Sequence, residues 1–228
     1  MAKKVFLGVG HGGSDPGATA NGWEEADLNL AIALSCNTEL VRHGVQVLMS
    51  RTKDENDTLT EEIKECNKFG PDLAVDIHNN AGGGDGVEAF HHYGGGTSKT
   101  LASNVIAEVV AIGQNSRGLK VRKNAQGRDY YGFIRETAAP AIIVECAFVD
   151  NPKDMQILDT AAEQKAMGVA IAKGILRTLG IAYKPEVVEK PAESGKLYRV
   201  QVGAYSIKEN AVKMRDKLKA AGYEAIIV

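Results

Sequence analysis

The feature that most constrains the fold is an alternation of short apolar runs and helical patterns over the first 180 residues. Residues 5–9, 45–49, 73–78 and 141–144 are apolar runs with the length of buried strands, and amphipathic segments lie between them. Strands that alternate with helices are typical of a mostly parallel sheet flanked by helices. The sequence therefore predicts an α/β fold, with its most apolar run, residues 141–144, near the middle of the sheet.

Composition excludes several classes of protein. The 228 residues include 44% hydrophobic and 25% charged residues, which excludes a disordered chain. The net charge of −2 gives no overall basic field, so we expect no nucleic-acid partner. No apolar run approaches the ~18 residues of a membrane span, and the N-terminal one is too short for a signal peptide. The three cysteines form no Cys-x-x-Cys pair, so no disulfide framework is predicted.

The domain organisation follows from changes in pattern along the chain. Residues 1–182 form the predicted main domain, which ends with one long helix over residues 150–179. Residues 183–195 are rich in Lys, Pro, Glu and Val without periodicity, as is typical of a linker. Residues 196–228 read strand, helix, strand, and this β-α-β segment is too short to bury a core of its own.

A glycine-rich loop after the first strand permits two interpretations. Residues 8–13 match the pattern G-x-G-x-x-G of dinucleotide-binding proteins. That fingerprint needs a helix that starts at once and an acidic residue after the second strand, whereas this chain continues as a loop and has Ser50 and Arg51 there. Dinucleotide binding is therefore disfavoured.

A metal site explains more of the same residues. His11 and His78 stand at the carboxyl ends of the first and third strands, which meet at one edge of a parallel sheet. Glu25 begins the first helix, which returns from that edge. Two imidazoles and one carboxylate form the ligand set of many catalytic zinc hydrolases. The alternative is that both histidines only satisfy local hydrogen bonds at the strand ends.

Glu145 directly follows the most apolar strand, where an unpaired carboxylate is costly. One interpretation is a structural salt bridge with Arg135. The other is a carboxylate that faces the same crevice as the histidines and performs acid–base chemistry there.

Taken together, the motifs resemble zinc-dependent N-acetylmuramoyl-L-alanine amidases of the type 3 family. The resemblance runs in order over residues 4–180 and rests on these segments: residues 9–18, 25–30, 76–81, 135–137 and 144–152, with Pro140. It implies one zinc ion held by His11, Glu25 and His78, with Glu145 as the catalytic carboxylate. Glu24 competes with Glu25 for the ligand position, and the spacing to the motif Asp-Leu-Asn-Leu favours Glu25.

The resemblance also implies the reaction, hydrolysis of the amide between N-acetylmuramic acid and L-alanine in peptidoglycan. Asn79, Asn80 and Arg135 lie in the same motifs and are predicted to bind substrate, and Asp76 to fix the tautomer of His78. Two alternatives stay open: another cell-wall zinc amidohydrolase or peptidase, and a non-catalytic protein that binds the cell wall.

The C-terminal segment is similar to the first β-α-β half of the SPOR domain, a peptidoglycan-binding module. This similarity implies that Gln201 and Tyr205 lie on an open sheet face, where a sugar ring stacks on the tyrosine. We therefore expect peptidoglycan as the partner and action outside the cytoplasmic membrane. The absence of a visible signal peptide fits release by lysis, as for a phage lysin or an autolysin, or secretion with the leader removed.

Overall fold

The computed structural model describes residues 2–186, 201–223 and 225–227, and the chain divides into two units, Met1–Lys184 and Pro185–Val228. The helices of the first unit are α1 (Glu25–Arg42), α2 (Leu59–Phe69), α3 (Thr97–Ala111), α4 (Gly132–Glu136), α5 (Pro152–Met155) and α6 (Ala161–Thr178). Its strands are β1 (Lys4–Val9), β2 (Thr19–Ala20), β3 (Trp23–Glu24), β4 (Gln46–Met49), β5 (Leu73–Asn80), β6 (Val87–His91), β7 (Ser116–Lys120) and β8 (Ala141–Phe148).

Six of these strands form one sheet in the order β4-β1-β5-β8-β6-β7. The four strands β4, β1, β5 and β8 are parallel, whereas β6 runs antiparallel to β8 and β7 runs parallel to β6. The sheet confirms the predicted mostly parallel α/β fold and the interior place of β8. Strand β7 was not predicted, because its sequence Ser-Arg-Gly-Leu-Lys has no apolar run and it lies at the sheet edge.

The two faces of the sheet are covered to different depths. Side chains such as Leu7 and Ile77 point to the face where α1, α3 and α6 build the larger core. Phe6 and Ile143 point to the other face, where the smaller core lies under α2 and the short α4. Because successive residues of a strand alternate faces, Asp76, His78 and Glu145 share this second face. The thin cover there leaves the strand ends accessible.

The end of the first unit differs from the expected single helix over residues 150–179. The structure has two helices: α5 is capped by Asn151, and α6 begins after Thr160. Thr160 and Glu163 form a capping box, in which each side chain accepts a hydrogen bond from the other residue's backbone N–H. This local signal starts a new helix and overrides the continuous apolar pattern.

The second unit contains one helix among its described residues, α7 (Lys208–Ala220), which is the helix of the predicted β-α-β segment. Residues 201–205 and 225–227 are not in strands, and residues 197–200, 224 and 228 of the expected strands lie outside the described residues. No residue of α7 is buried.

Among the residues that the structure describes, no helix combines the length and the apolar character that a membrane crossing requires.

Candidate metal centre and active site

The loop after β1 is built to present His11. His11 has a φ of 63°, in the left-handed region that residues other than glycine seldom adopt. The side chain of Arg51, 2% exposed, fixes this loop by donating to the backbone oxygens of Val9 (3.1 Å), Gly10 (3.2 Å) and Ala26 (2.8 Å). Arg51 therefore ties the loop to the start of α1, the helix that carries Glu25.

Three of the predicted residues come together at the carboxyl ends of β1 and β5. His11 Nε2 lies 3.3 Å from Glu25 Oε2, and His78 Nδ1 lies 3.0 Å from Glu25 Oε1. The two imidazole rings meet edge to face with centroids 5.1 Å apart. Gly10 is needed beside them, because a β-carbon at that position would overlap the ring of His78. Residues distant in sequence thus form one cluster.

The other nitrogen of each imidazole faces a second carboxylate. His11 Nδ1 lies 2.8 Å from Asp15 Oδ2, and His78 Nε2 lies 3.2 Å from Asp76 Oδ2. Burial alone lowers the pKa of His78, but the carboxylates of Asp76 and Glu25 outweigh burial and raise this pKa well above its usual value. The hydrogen bond with Glu25 raises the pKa of His11 in the same way. Paired carboxylates of this kind orient metal-binding histidines in many proteins.

Glu25 is held in place from several sides. Its carboxylate accepts hydrogen bonds from the backbone N–H groups of Ala18 (3.0 Å) and Asn79 (3.1 Å) and from the side chain of Asn29 (3.3 Å). Burial raises the pKa of Glu25, but the hydrogen bonds from the two histidines outweigh burial and hold this pKa well below its usual range. Glu25 is 4% exposed, whereas Glu24 is exposed to solvent, so Glu25 is the acidic residue in the cluster.

These donors fit a zinc ion. His11, Glu25 and His78 each offer one ligand atom, and the three atoms lie within 4.8 Å of one another. Zinc binds nitrogen and oxygen at about 2.0–2.1 Å, so tetrahedral ligands stand roughly 3.3 Å apart. The separations of 3.3 Å and 3.0 Å join the imidazole nitrogens of His11 and His78 to different oxygens of the Glu25 carboxylate, so the three side chains converge on one point. Three protein ligands also leave one position for water or substrate, as in catalytic zinc sites.

Glu145 stands beside this cluster on the neighbouring strand. Its Cα pairs in register with His78 of β5 on one side and with Glu88 of β6 on the other. Burial raises the pKa of Glu145 to about 7; His78 opposes the shift, and the carboxylates of Glu25, Asp76 and Glu88 add to it. Arg135 pairs with Glu136 (2.7 Å) and not with Glu145, so the salt bridge considered from sequence is absent from this part of the described chain.

A cleft of about 280 Å³ opens next to the two histidines, on the thinly covered face. Its wall includes His11, His78, Tyr131 and two carboxylates, Glu62 and Asp76. One oxygen of each carboxylate is buried without a hydrogen-bond partner. Burial and the nearby Asp76 raise the pKa of Glu62 well above its usual value. The raised pKa favours the protonated, uncharged form of the Glu62 carboxyl beside Asp76.

The residues predicted to bind substrate have varied surroundings. Asn79 is 2% exposed and donates to Asn29 Oδ1 (2.9 Å), behind Glu25. Asn80 donates to Glu88 Oε1 (3.3 Å). Arg135 donates to the backbone oxygens of Asp129 and Tyr130 as well as to Glu136.

The two residues predicted to bind glycan, Gln201 and Tyr205, lie in the second unit, and both are exposed.

Sequence reasoning missed three residues that shape the cluster: Asp15, Asn29 and Arg51. The sequence carried a signal for one of them, because Asn29 follows Glu25 by four residues and so shares its helix face. Arg51 follows β4 with no local sign that its long side chain crosses to the next loop.

Comparison with known proteins identifies the family. The sequence profile described as N-acetylmuramoyl-L-alanine amidase matches residues 5–177, and the SPOR domain profile matches residues 171–228. The chain is 34% identical to the sporulation-specific N-acetylmuramoyl-L-alanine amidase of Bacillus subtilis (strain 168), over 99% of this chain and 84% of that protein.

Solved structures agree with this assignment. Cwp6 from Clostridium difficile superposes with a TM-score of 0.78 and 39% identity, covering 78% of this chain, which spans 30% of the Cwp6 chain. The catalytic domain of CwlV, an N-acetylmuramoyl-L-alanine amidase from Bacillus (Paenibacillus) polymyxa var. colistinus, superposes with a TM-score of 0.71 and 27% identity, covering 79% of this chain and 99% of CwlV. The chain belongs to the N-acetylmuramoyl-L-alanine amidase family, as its sequence motifs predicted, and carries a SPOR match at its C-terminus.

Proposed function

We propose that this protein is a zinc-dependent amidase that hydrolyses the amide between the lactyl group of N-acetylmuramic acid and L-alanine in peptidoglycan. The observation that carries the proposal is the cluster of His11, Glu25 and His78 with Glu145 in register beside it. Membership of the amidase family supports the substrate class.

Each residue around the cluster has a role in this proposal. His11, Glu25 and His78 hold one zinc ion, while Asp15 and Asp76 fix which nitrogen of each imidazole faces it. The ion would supply a Lewis acid that polarises the amide carbonyl and lowers the pKa of the attacking water.

Glu145 moves the proton. The pKa of Glu145 is about 7 in the metal-free chain, and a zinc ion beside it would lower this pKa. At neutral pH the carboxylate therefore accepts a proton from the attacking water and then delivers it to the leaving amine. The products are unsubstituted N-acetylmuramic acid and an intact stem peptide with a free amino group on L-alanine.

The test separates bond specificity from wall binding. Purified peptidoglycan is digested with the full chain, and the products are identified by mass spectrometry. Intact stem peptides released from unsubstituted muramic acid are expected. Shortened stem peptides would assign a peptidase instead, and undigested wall with bound protein would assign a binding protein.

Variants then separate metal binding from proton transfer. Glu145→Gln is expected to keep its zinc and to lose about 10²–10⁴ in kcat, the usual effect of removing a general base. His11→Ala and Glu25→Gln are expected to lose zinc and activity together, with the exposed neighbour Glu24→Gln as the matched control that loses neither. Zinc is measured by atomic absorption after dialysis. A metal-free Glu145→Gln protein would make Glu145 a ligand and refute its assigned role.

We further propose that the second unit binds peptidoglycan through Gln201 and Tyr205, and that the protein acts outside the cytoplasmic membrane. The SPOR match and the family of the first unit support both statements. Tyr205→Ala in the full chain is expected to weaken sedimentation with intact walls while cleavage of soluble muropeptides is unchanged. Detection of the protein in the medium before lysis distinguishes secretion from release by lysis.

A further inference from the structure

An exposed group of aromatic and cationic side chains adjoins the cleft, and none of the roles assigned so far uses it. This aromatic ridge consists of the exposed residues Tyr93, Arg122, Lys123 and Tyr130 and the half-buried Tyr131. Tyr93 and Tyr130 are 48% and 47% exposed, so both rings are accessible to a ligand. A cation covers part of each ring: the Arg122 guanidinium lies 3.7 Å from the Tyr130 centroid, and Lys123 Nζ lies 4.3 Å from the Tyr93 centroid.

The ridge is held rigid by backbone hydrogen bonds. Residues 122–130 form a hairpin in which Tyr130 N donates to Arg122 O (2.9 Å) and Asn124 N donates to Arg128 O (2.8 Å). Buried Asp129 accepts a hydrogen bond from Tyr93 N (2.9 Å), which joins the end of β6 to the hairpin. A surface fixed in this way loses little conformational entropy when it binds a ligand.

Arg135 anchors the ridge from below. Its Nη1 donates to the backbone oxygens of Asp129 (2.9 Å) and Tyr130 (2.8 Å), at the point where the hairpin returns toward α4. Arg135 therefore fixes the position of Tyr130 at the end of the hairpin.

The ridge continues the wall of the cleft. Tyr131 lines the cleft together with His11 and His78, and its ring lies 5.2 Å from that of Tyr130. The same ring lies 4.7 Å from Phe90, which pairs with Ile143, two residues before Glu145 on β8. Two residues of a strand span about 7 Å. A ligand that extends from Glu145 along this face therefore reaches the ridge within the length of a short peptide.

The ridge is positively charged, so it favours a part of the substrate that carries carboxylates. Arg122, Lys123 and Arg128 are exposed cations within one hairpin, whereas its single acid, Asp129, is buried. In uncleaved substrate the lactyl carboxyl of the sugar is consumed in the amide bond, so the glycan next to that bond is uncharged. The free carboxylates lie in the stem peptide.

We propose that the aromatic ridge binds the acidic stem peptide of peptidoglycan, with carboxylates at Arg122 and Lys123 and apolar peptide groups on Tyr130 and Tyr93. This inference rests on the proposed amidase function and identifies the substrate segment that binds beyond the cleft. Exposed charge pairs contribute modestly, so each cation adds a few-fold in affinity and the pair about fivefold to tenfold.

The test measures binding without hydrolysis. Full-length Glu145→Gln protein is titrated calorimetrically with a soluble N-acetylmuramyl peptide whose carboxylates are free, and with the same peptide after all its carboxylates are amidated. Adding Arg122→Gln and Lys123→Gln is expected to raise the Kd about fivefold to tenfold for the free acid and to leave the Kd for the amidated peptide unchanged. Lys68→Gln with Arg177→Gln, equal in charge change but outside the ridge, is the matched control and is expected to alter neither.

The outcomes separate this inference from the proposed function. Equal loss for both peptides, loss in the control variant, or no preference of the parent protein for the free acid would overturn the ridge assignment. Tyr130→Ala is expected to weaken the binding of both peptides to the same extent. Unchanged binding by this variant would also contradict the ridge assignment. Hydrolysis by the protein with Glu145 intact is measured separately, so an inactive enzyme that still discriminates the two peptides would refute only the amidase proposal.

Discussion

Replacing Glu145 by Gln should make metal-free protein more stable, and by an amount that depends on pH. Gln has the shape of a protonated Glu, so the variant differs from the parent mainly in lacking an ionisable group. In the folded chain the pKa of Glu145 is raised to about 7, chiefly by burial, from an ordinary value of 4.5. Folding therefore favours the protonated form of this carboxyl.

The sign and size follow from proton linkage. Below pH 4.5 Glu145 is protonated in both states and does not penalise folding. As the pH rises toward 7 the unfolded chain ionises first, so the parent protein loses stability until the folded carboxyl ionises as well. A pKa difference of 2.5, taken from 7 and 4.5, corresponds to about 3 kcal/mol at 1.36 kcal/mol per pH unit. Because the carboxyl is not fully buried, solvent screening reduces the expected effect to about 2–3 kcal/mol.

The assay is urea unfolding of chelator-treated protein at several pH values between 4.5 and 8.5. The stability of Glu145→Gln minus that of the parent is expected to grow by about 2–3 kcal/mol across this range. Glu24→Gln, an exposed neighbour of the cluster, is the control for removing one negative charge. Added zinc should shrink the difference, because a nearby cation lowers the pKa of Glu145. A difference that stays constant with pH would show that Glu145 ionises in the folded chain as it does in the unfolded one, and would refute the raised pKa of this carboxyl.

Three further predictions follow from other contacts. Asp76→Asn removes the carboxylate beside the imidazole of His78, so zinc affinity is expected to fall about 10–100-fold. Affinity is measured by competition titration, and an unchanged value would contradict the orienting role of Asp76. The free energy of unfolding, measured in urea, should be about 1–3 kcal/mol higher for a chain ending at Lys184 than for one ending at Leu179, because Tyr183 packs on the core. Equal free energies of unfolding would contradict that packing. Glu62→Gln should raise the melting temperature at pH 8 more than at pH 5, because burial and Asp76 raise the pKa of Glu62 and its charge penalises folding only at higher pH. A uniform shift would refute this.

Local patterns in the sequence determined much of the fold. Apolar runs of strand length predicted β1, β4, β5 and β8, because strands covered on both faces are mostly apolar. The same logic brought His11 and His78 to one edge, since parallel strands that are neighbours end on the same side. Glu25 was predicted to join them because two imidazoles and one carboxylate form the ligand set of many catalytic zinc sites, and the family motifs agree.

Only the tertiary structure decided how those residues meet. Which nitrogen of His78 faces Glu25, and that Asp76 takes the other, depends on the register of β5 against β1 and on the angle of α1. Register is a property of two segments together, so neither segment's sequence states it. The motif spacing had favoured Glu25 over Glu24, and the structure adds the physical reason, because the Glu25 carboxylate is buried and that of Glu24 is exposed.

The aromatic ridge is the clearest case of a feature that only the tertiary structure decided. Residues 116–131 are polar and without a period, so the sequence predicted neither β7 nor the hairpin beyond it. Their order comes from hydrogen bonds made by Asp129 and Arg135 to segments that fold elsewhere in the chain. Periodicity reports which side of an element is buried, and so it determined the sheet and its core. It does not report which polar side chains meet across loops, and those contacts, set only by the packed structure, shape the cleft and its binding surface.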